Sequence, residues 1–277
     1  MKFSICSYSF HRLLQDGKQD IFKYITDCKE LGAAELDAWN GHFGPIRARD
    51  DVIRASGDPA SAALTADELA FLARVKAAAE QAGMPFGCVA VDGAHIYEPT
   101  PEARAINRAI AYRYLDAAAR LGARQIRIDS GGTADFPAEQ FQIVVEGYHD
   151  LIPRARALGI ELLIENHWGA SNVPENVVRM LEAIDGLGLL FDTNNWAEGM
   201  RERGWALCAR YARATHIKTF AFDEAGNEIT ADIPRIIRLL RDSGYNGVWG
   251  IESVPRDGDE YAGVRKTSAL IARVLGE

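Results

Sequence analysis

The chain has 277 residues, 48% hydrophobic and 25% charged, the proportions of an ordinary globular protein with no tract polar enough to stay disordered. A formal net charge of −8 argues against general attraction to nucleic acid phosphates, and the four scattered cysteines, Cys6, Cys28, Cys88 and Cys208, suggest neither a CxxC zinc knuckle nor a disulfide framework. No run has the apolar length of a bilayer crossing and the N-terminal stretch lacks a secretory pattern, so a cytoplasmic protein with no nucleic-acid or membrane partner is expected.

Along the chain, short hydrophobic runs ending at or near Gly, Asn, Asp or Ser alternate with longer stretches of helical apolar spacing. The pattern predicts a strand at 3–8, a helix at 20–31, a strand at 33–37, a helix at 66–82, a strand at 86–91 and a helix at 102–121. It continues with a strand at 125–129, a helix at 138–158, a strand at 161–165, a helix at 174–184, a strand at 188–192 and a helix at 201–210. A strand at 215–218, a helix at 233–243, a strand at 247–252 and a helix at 260–275 complete it.

Several predicted helices close on a glycine, among them Gly83 and Gly122, where a left-handed cap is cheap, and the next strand follows directly. Eight βα units in a chain of this length predict an α/β fold, a closed (β/α)8 TIM barrel forming a single domain over 1–277. No GxGxxG follows any predicted strand, which argues against a doubly wound nucleotide fold. Two connections are long, 40–65 and 93–101, and both would rise above the barrel mouth. The first reads either as a water-excluding lid or as a surface loop without a role.

Four potential metal ligands sit at or near the ends of the last four strands: Glu165 in ELLIENH, Asp192 in GLLFDTNN, His216 in ATHIKTF and Glu252 in GVWGIES. Each alone has a plain structural reading, as a cap, an Asx turn or a satisfied core histidine. Together, at one barrel mouth, they would repel one another without a cation. Three carboxylates and an imidazole suit one divalent cation with positions left for substrate oxygens; Mn is the first choice, with Mg, Co or Zn as alternatives.

The runs IENHWG, FDTNNW, HIK and GIES resemble the xylose-isomerase-like barrels, the family of sugar isomerases, ketose 3-epimerases, inosose dehydratase and endonuclease IV. The resemblance covers nearly the whole chain. It implies that Glu165, Asp192, His216 and Glu252 are metal ligands and that Glu165 and Glu252 are the catalytic proton-transferring pair. In many relatives a histidine stands three residues beyond the sixth-strand aspartate, where this chain has Asn195. Endonuclease IV needs more histidines at its mouth for a trinuclear zinc cluster than this chain, with six in all, supplies. Barrels of the family often pair, so a homo-oligomer is an expectation.

The expected reaction is isomerisation or epimerisation of a keto-sugar or polyol-derived ketone through a metal-stabilised enediolate. Two carboxylates on opposite sides of the substrate would invert a carbon; one returning the proton to the neighbouring carbon would interconvert aldose and ketose. The alternative is a keto-sugar or keto-inositol dehydratase or lyase with the same metal, and a remoter one is a sugar-binding barrel without catalysis. His167 and Lys218 share the strand parity of Glu165 and His216 and are acid or hydroxyl-binding candidates. Asn195, Trp168 and His95 complete the substrate-binding set. Trp196 reads either as a stacking platform or as packing. Gly131-Gly132 is the only weak phosphate signal, so a free sugar is expected rather than a sugar phosphate.

Overall fold

Eight parallel strands close on one another in chain order in a computed structural model that describes residues 1–276. The order is β1 (Phe3–Cys6), α1 (His11–Gln15), α2 (Ile21–Glu30), β2 (Glu35–Trp39), α3 (Gly44–Ser56), α4 (Ala66–Ala82), β3 (Phe86–Val91), α5 (Pro101–Leu121) and β4 (Gln125–Ile128). There follow α6 (Ala138–Ala157), β5 (Glu161–Glu165), α7 (Pro174–Ala183), β6 (Leu187–Asp192), α8 (Arg201–Cys208), β7 (Ala212–Thr219), α9 (Ile233–Asp242), β8 (Trp249–Ser253) and α10 (Glu260–Leu275). The predicted (β/α)8 barrel is therefore the observed one.

Strand alternation sorts the side chains into two cores. Ile126, Ile128, Leu162, Ile164, Leu189, Phe191, Ile217 and Ile251 face outward and join the main core with the helices. Residues of the opposite parity, Cys88, Leu163, Leu190 and Ala214, form a small separate cluster inside the barrel. Two residues further along the same inner faces come Glu165, Asp192 and His216, and parity thus places them directly above that apolar floor. Around the outside, α9 buries Ile233, Ile236, Ile237 and Leu240, an i, i+3, i+4, i+7 stripe. Thr65 and Glu68 start α4 with a reciprocal capping box, and Gly83 ends it in the left-handed conformation.

The structure departs from the sequence expectation at two places that frame the mouth. The first strand stops at Cys6, because Ser7–Phe10 turn into a 3-10 helix. There Ser9 Oγ donates to the Ile251 carbonyl and accepts from Ser253 N, in place of ladder bonds. The long connection after β2 holds α3, where the sequence pattern predicts only a loop. Its apolar signal is thin, since only Ile46, Asp50 and Ile53 are buried, but Pro45 opens it and Gly57 caps it at φ 65°.

This segment is anchored to α5 and α4 by buried charge. Tyr114 donates to Asp50 Oδ2 at 2.8 Å, Arg113 pairs with Glu68, and Arg49 reaches the same glutamate at 3.0 Å. Arg54 donates to the Gly93 carbonyl at 2.6 Å, which ties the second long connection to the first. Among the described residues no helix is long and apolar enough to cross a membrane, and the four cysteines are buried and unpaired.

Candidate functional site

Glu165, Asp192, His216 and Glu252 are all buried, and one ligand atom from each lies within 4.8 Å of the others. His216 Nδ1 stands 3.2 Å from Glu165 Oε1 and 3.0 Å from Glu252 Oε2. Asp192 lies level with His216 in the β6–β7 register. Its Oδ1 accepts from the backbone N–H groups of Asn194 and Asn195 at 2.6 and 2.8 Å. Asn166 grips the Asp192 backbone on both sides, its amide donating to the carbonyl and its oxygen accepting from the N–H, each at 2.9 Å.

Two carboxylate oxygens in this group, Glu165 Oε2 and Asp192 Oδ2, are buried with no hydrogen-bond partner. Buried acceptors left this way are costly. Oxygen and imidazole donors clustered around such orphans are the surroundings that a hard or borderline divalent cation requires, so the residues fit the group.

Fixed positive charge offsets part of the negative charge. Lys218 Nζ lies 2.7 Å from Glu252 Oε1 and 3.7 Å from Asp192 Oδ2, and donates to Asn195 Oδ1 at 3.0 Å. Asn195 in turn directs its amide to Glu165 Oε1 at 3.3 Å. Burial works against the charge of Glu252, but Lys218 and His216 hold it far below the usual carboxylate range. Burial pushes Asp192 up to about 6.

Beside this group lies a second one. Arg127 of β4 is buried, its Nη1 2.7 Å from Asp92 Oδ1 and 2.9 Å from Asp129 Oδ2, and its Nε 3.0 Å from Glu165 Oε2. His167 Nδ1 is 3.0 Å from Asp129 Oδ2 and 3.9 Å from Glu165 Oε2. Burial opposes protonation of His167, but Glu165 and Asp129 outweigh it and lift it to about 9. Above both groups opens a cavity of about 100 Å³, walled by Tyr8, Trp39, Asp92, His167, Trp168 and Lys218 among others. Trp168, 43% exposed, stacks on the His167 ring with centroids 3.9 Å apart.

The remaining candidates fall outside the cavity wall. His95 packs edge-on against Trp168, one ring behind the lining. Trp196 is turned into the helix layer against Phe191 and Gly204, whose missing side chain makes room for the indole. Gly131 and Gly132 serve close backbone packing, since a Cβ on Gly131 would meet the Tyr97 carbonyl oxygen at 2.6 Å.

The family profile described as "Xylose isomerase-like TIM barrel" matches residues 25–273. The chain belongs to the xylose isomerase-like TIM barrels. No curated protein matches it by sequence. Solved structures similar to this xylose isomerase-like barrel include D-psicose 3-epimerase in the presence of D-fructose, with TM-score 0.70, 17% identity and all of both chains covered. The probable 3-DHS dehydratase AsbF of Bacillus anthracis has TM-score 0.65 and 15% identity, covering 98% of each chain. A xylose isomerase-like barrel protein from Mycobacterium smegmatis in complex with magnesium has TM-score 0.68 and 19% identity, covering 99% of this chain and 96% of that one. At these identities the likeness is one of fold.

Sequence reasoning about this xylose isomerase-like barrel missed Arg127, Asp92 and Asp129, and also Asp37 of β2, whose Oδ2 lies 3.1 Å from His216 Nε2. Arg127 sits in QIRI, where one charged residue among alternating apolar ones reads as solvent-facing. In a closed barrel the same parity points inward, and the strand position of Arg127, two after Gln125, was the available signal.

Proposed function

We propose that the chain is a divalent-metal-dependent sugar isomerase or epimerase acting on a free keto-sugar or polyol-derived ketone. Glu165, Asp192, His216 and Glu252 hold the metal, and Glu165 and Glu252 transfer the proton. The observation that carries this reading is the buried set of three carboxylates and one imidazole, with two oxygens unsatisfied, at the C-terminal mouth of the barrel. A bound cation of the Mn or Mg type supplies Lewis acidity toward the substrate's carbonyl and adjacent hydroxyl oxygens.

The chain's own residues do the rest. One of Glu165 and Glu252 takes the proton from the hydroxyl-bearing carbon next to the carbonyl. For epimerisation the other returns a proton to the opposite face; for isomerisation one carboxylate delivers it to the neighbouring carbon. Lys218, Asn195 and His167 bind substrate hydroxyls, and Trp168 covers the ring face. Arg127, His167 and Lys218 each already face a carboxylate. That leaves the lining without a spare cation for a phosphate, which favours a free sugar.

A second reading, dehydration of a keto-sugar or keto-inositol, is favoured by one observation. His167, lifted to about 9, holds a proton at neutral pH beside Glu165 and could deliver it to a departing hydroxyl. Incubation of the metal-loaded protein with free ketoses, keto-inositols and 3-keto-glycosides in D2O, followed by NMR, separates the two. Deuterium beside an intact carbonyl supports epimerase or isomerase; an unsaturated product with loss of water supports the dehydratase. Silence across the panel with metal bound rejects both.

A further inference from the structure

We infer that Trp39 is a substrate-binding residue, an indole wall held in place by Asp92 and Gly41, which makes the cavity select a ring-closed polyol ketone over an open-chain one. The inference rests on the proposal that this cavity binds the substrate. Trp39 ends β2 on the inward parity of Asp37 and so enters the cavity wall beside Tyr8, whose ring meets it edge-on with centroids 5.0 Å apart.

The side chain is fixed at its root, its polar edge and its carbon end. The Trp39 backbone N–H donates to Ser7 Oγ at 2.9 Å, and indole Nε1 donates to Asp92 Oδ2 at 2.7 Å. Asp92 is braced in turn. Arg127 Nη1 donates to its Oδ1 at 2.7 Å, and Asn40 pairs with its backbone, accepting from the N–H at 3.1 Å and donating to the carbonyl at 3.0 Å. At Gly41 a Cβ would stand 2.1 Å from Trp39 Cζ3, so the six-membered half of the indole lies where any side chain would be. Gly41 is not in the left-handed region, and glycine is therefore required there for space.

An indole has one polar atom, a donor. Asp92 takes that donor, so Trp39 offers a ligand only carbon. Tyr8 and Trp168 add aromatic surface to the same cavity, while Glu165, Lys218 and Glu252 bring the charge. A ring-closed polyol presents a face of C–H groups to an indole and a rim of hydroxyls to charged groups at the same time. An open chain keeps no flat face and loses more conformational freedom on being held.

The test uses the full chain, 15N-labelled at its five tryptophans, with Mg²⁺ present. The probes are two hexahydric polyols without a carbonyl, myo-inositol as the ring and D-sorbitol as the open chain. The Trp39 indole N–H signal is assigned from its loss in W39F. Myo-inositol is expected to shift that signal and to bind more tightly than D-sorbitol, and W39A to weaken myo-inositol about 3- to 10-fold while leaving D-sorbitol unchanged. An unmoved Trp39 signal, equal affinity for the two probes, or equal losses for both in W39A overturns the inference. D92A is expected to release the indole, changing its N–H shift and weakening myo-inositol, whereas D92N, which keeps an acceptor oxygen, restores both. An indole signal in D92A identical to that of the unaltered chain removes Asp92 from the role. Deuterium exchange into a ketose without these Trp39 effects overturns the inference and keeps the proposed function; the Trp39 effects without turnover of any ketone do the reverse. The signal shift in the unaltered chain decides whether or not a variant folds.

Discussion

Arg127 on β4 lies 3.0 Å from Glu165 on β5, and neither side chain is more than 4% exposed. Arg127 Nε and Glu165 Oε2 are close enough to attract but are misaligned for a hydrogen bond, since both atoms remain without one. The guanidinium therefore acts on Glu165 as a fixed charge, while its Nη1 is tied to Asp92, Asp129 and the Val91 carbonyl. It thus pairs with three carboxylates, those of Asp92, Asp129 and Glu165, beside the proposed metal group.

Arg127→Met should be among the more damaging single changes in the barrel. It takes from the buried Asp129 and Glu165 the guanidinium that faces both, a loss of about 3–5 kcal/mol. Urea unfolding curves of the variant and the unaltered protein measure it. A midpoint unchanged within error would show that water reaches these acids and screens them.

Glu165→Gln and Glu252→Gln are expected to keep the fold and abolish incorporation of solvent deuterium into substrate, with turnover falling at least ~10²-fold. Proton exchange that persists in one variant would remove that glutamate from the transferring pair.

Metal should stabilise the protein through Asp192. With the ion present at about one hundred times its dissociation constant, the gain is about 2.7 kcal/mol, which for a chain of this size raises Tm by roughly 5–10 °C. Asp192→Ala should lose that rise, and a chelator should reverse it in the unaltered protein. Differential scanning fluorimetry with and without Mn²⁺ or Mg²⁺ decides; equal shifts in both proteins would place the ion elsewhere.

Acid should loosen the α3–α5 anchor through Glu68. Burial works to raise this carboxyl, but Arg113 and the Thr65 backbone N–H prevail and bring it from 4.5 down to about 2. A depressed carboxyl contributes stability that is complete above its unfolded value and disappears as pH falls through the folded one. The contribution, about 3 kcal/mol at neutral pH, should fade between pH 4.5 and 2. Stability against pH for the unaltered chain and Glu68→Gln should converge over that window; parallel curves would count against the pair.

Trp168→Ala should raise KM several-fold, by about 1 kcal/mol of lost ring contact, with little change in Tm. The indole is 43% exposed and packs mainly on His167 and His95. A variant that loses kcat with KM unchanged would assign Trp168 to holding His167 instead.

Much of the architecture was legible along the chain. The strands at 86–91 and 161–165 and the helices at 66–82 and 260–275 coincide with the observed elements, because apolar period and terminal glycines agree there. The shifted second strand, predicted at 33–37 and observed at Glu35–Trp39, reflects an AAELDAW run whose inward acids break the apolar signal. Helix α3 escaped notice because its buried face includes Asp50, whose partner Tyr114 is 64 residues away in sequence.

Local periodicity and turn chemistry along the chain are enough to set the alternation of strands and helices and the strand-end positions of Glu165, Asp192, His216 and Glu252. Barrel closure decided what those residues meet. It brought Asp37 of β2 to His216 of β7, Arg127 of β4 to Glu165 of β5, and Lys218 of β7 to Glu252 of β8. An inward-facing charge is held by neighbours on other strands, and only the closed sheet specifies which strands those are.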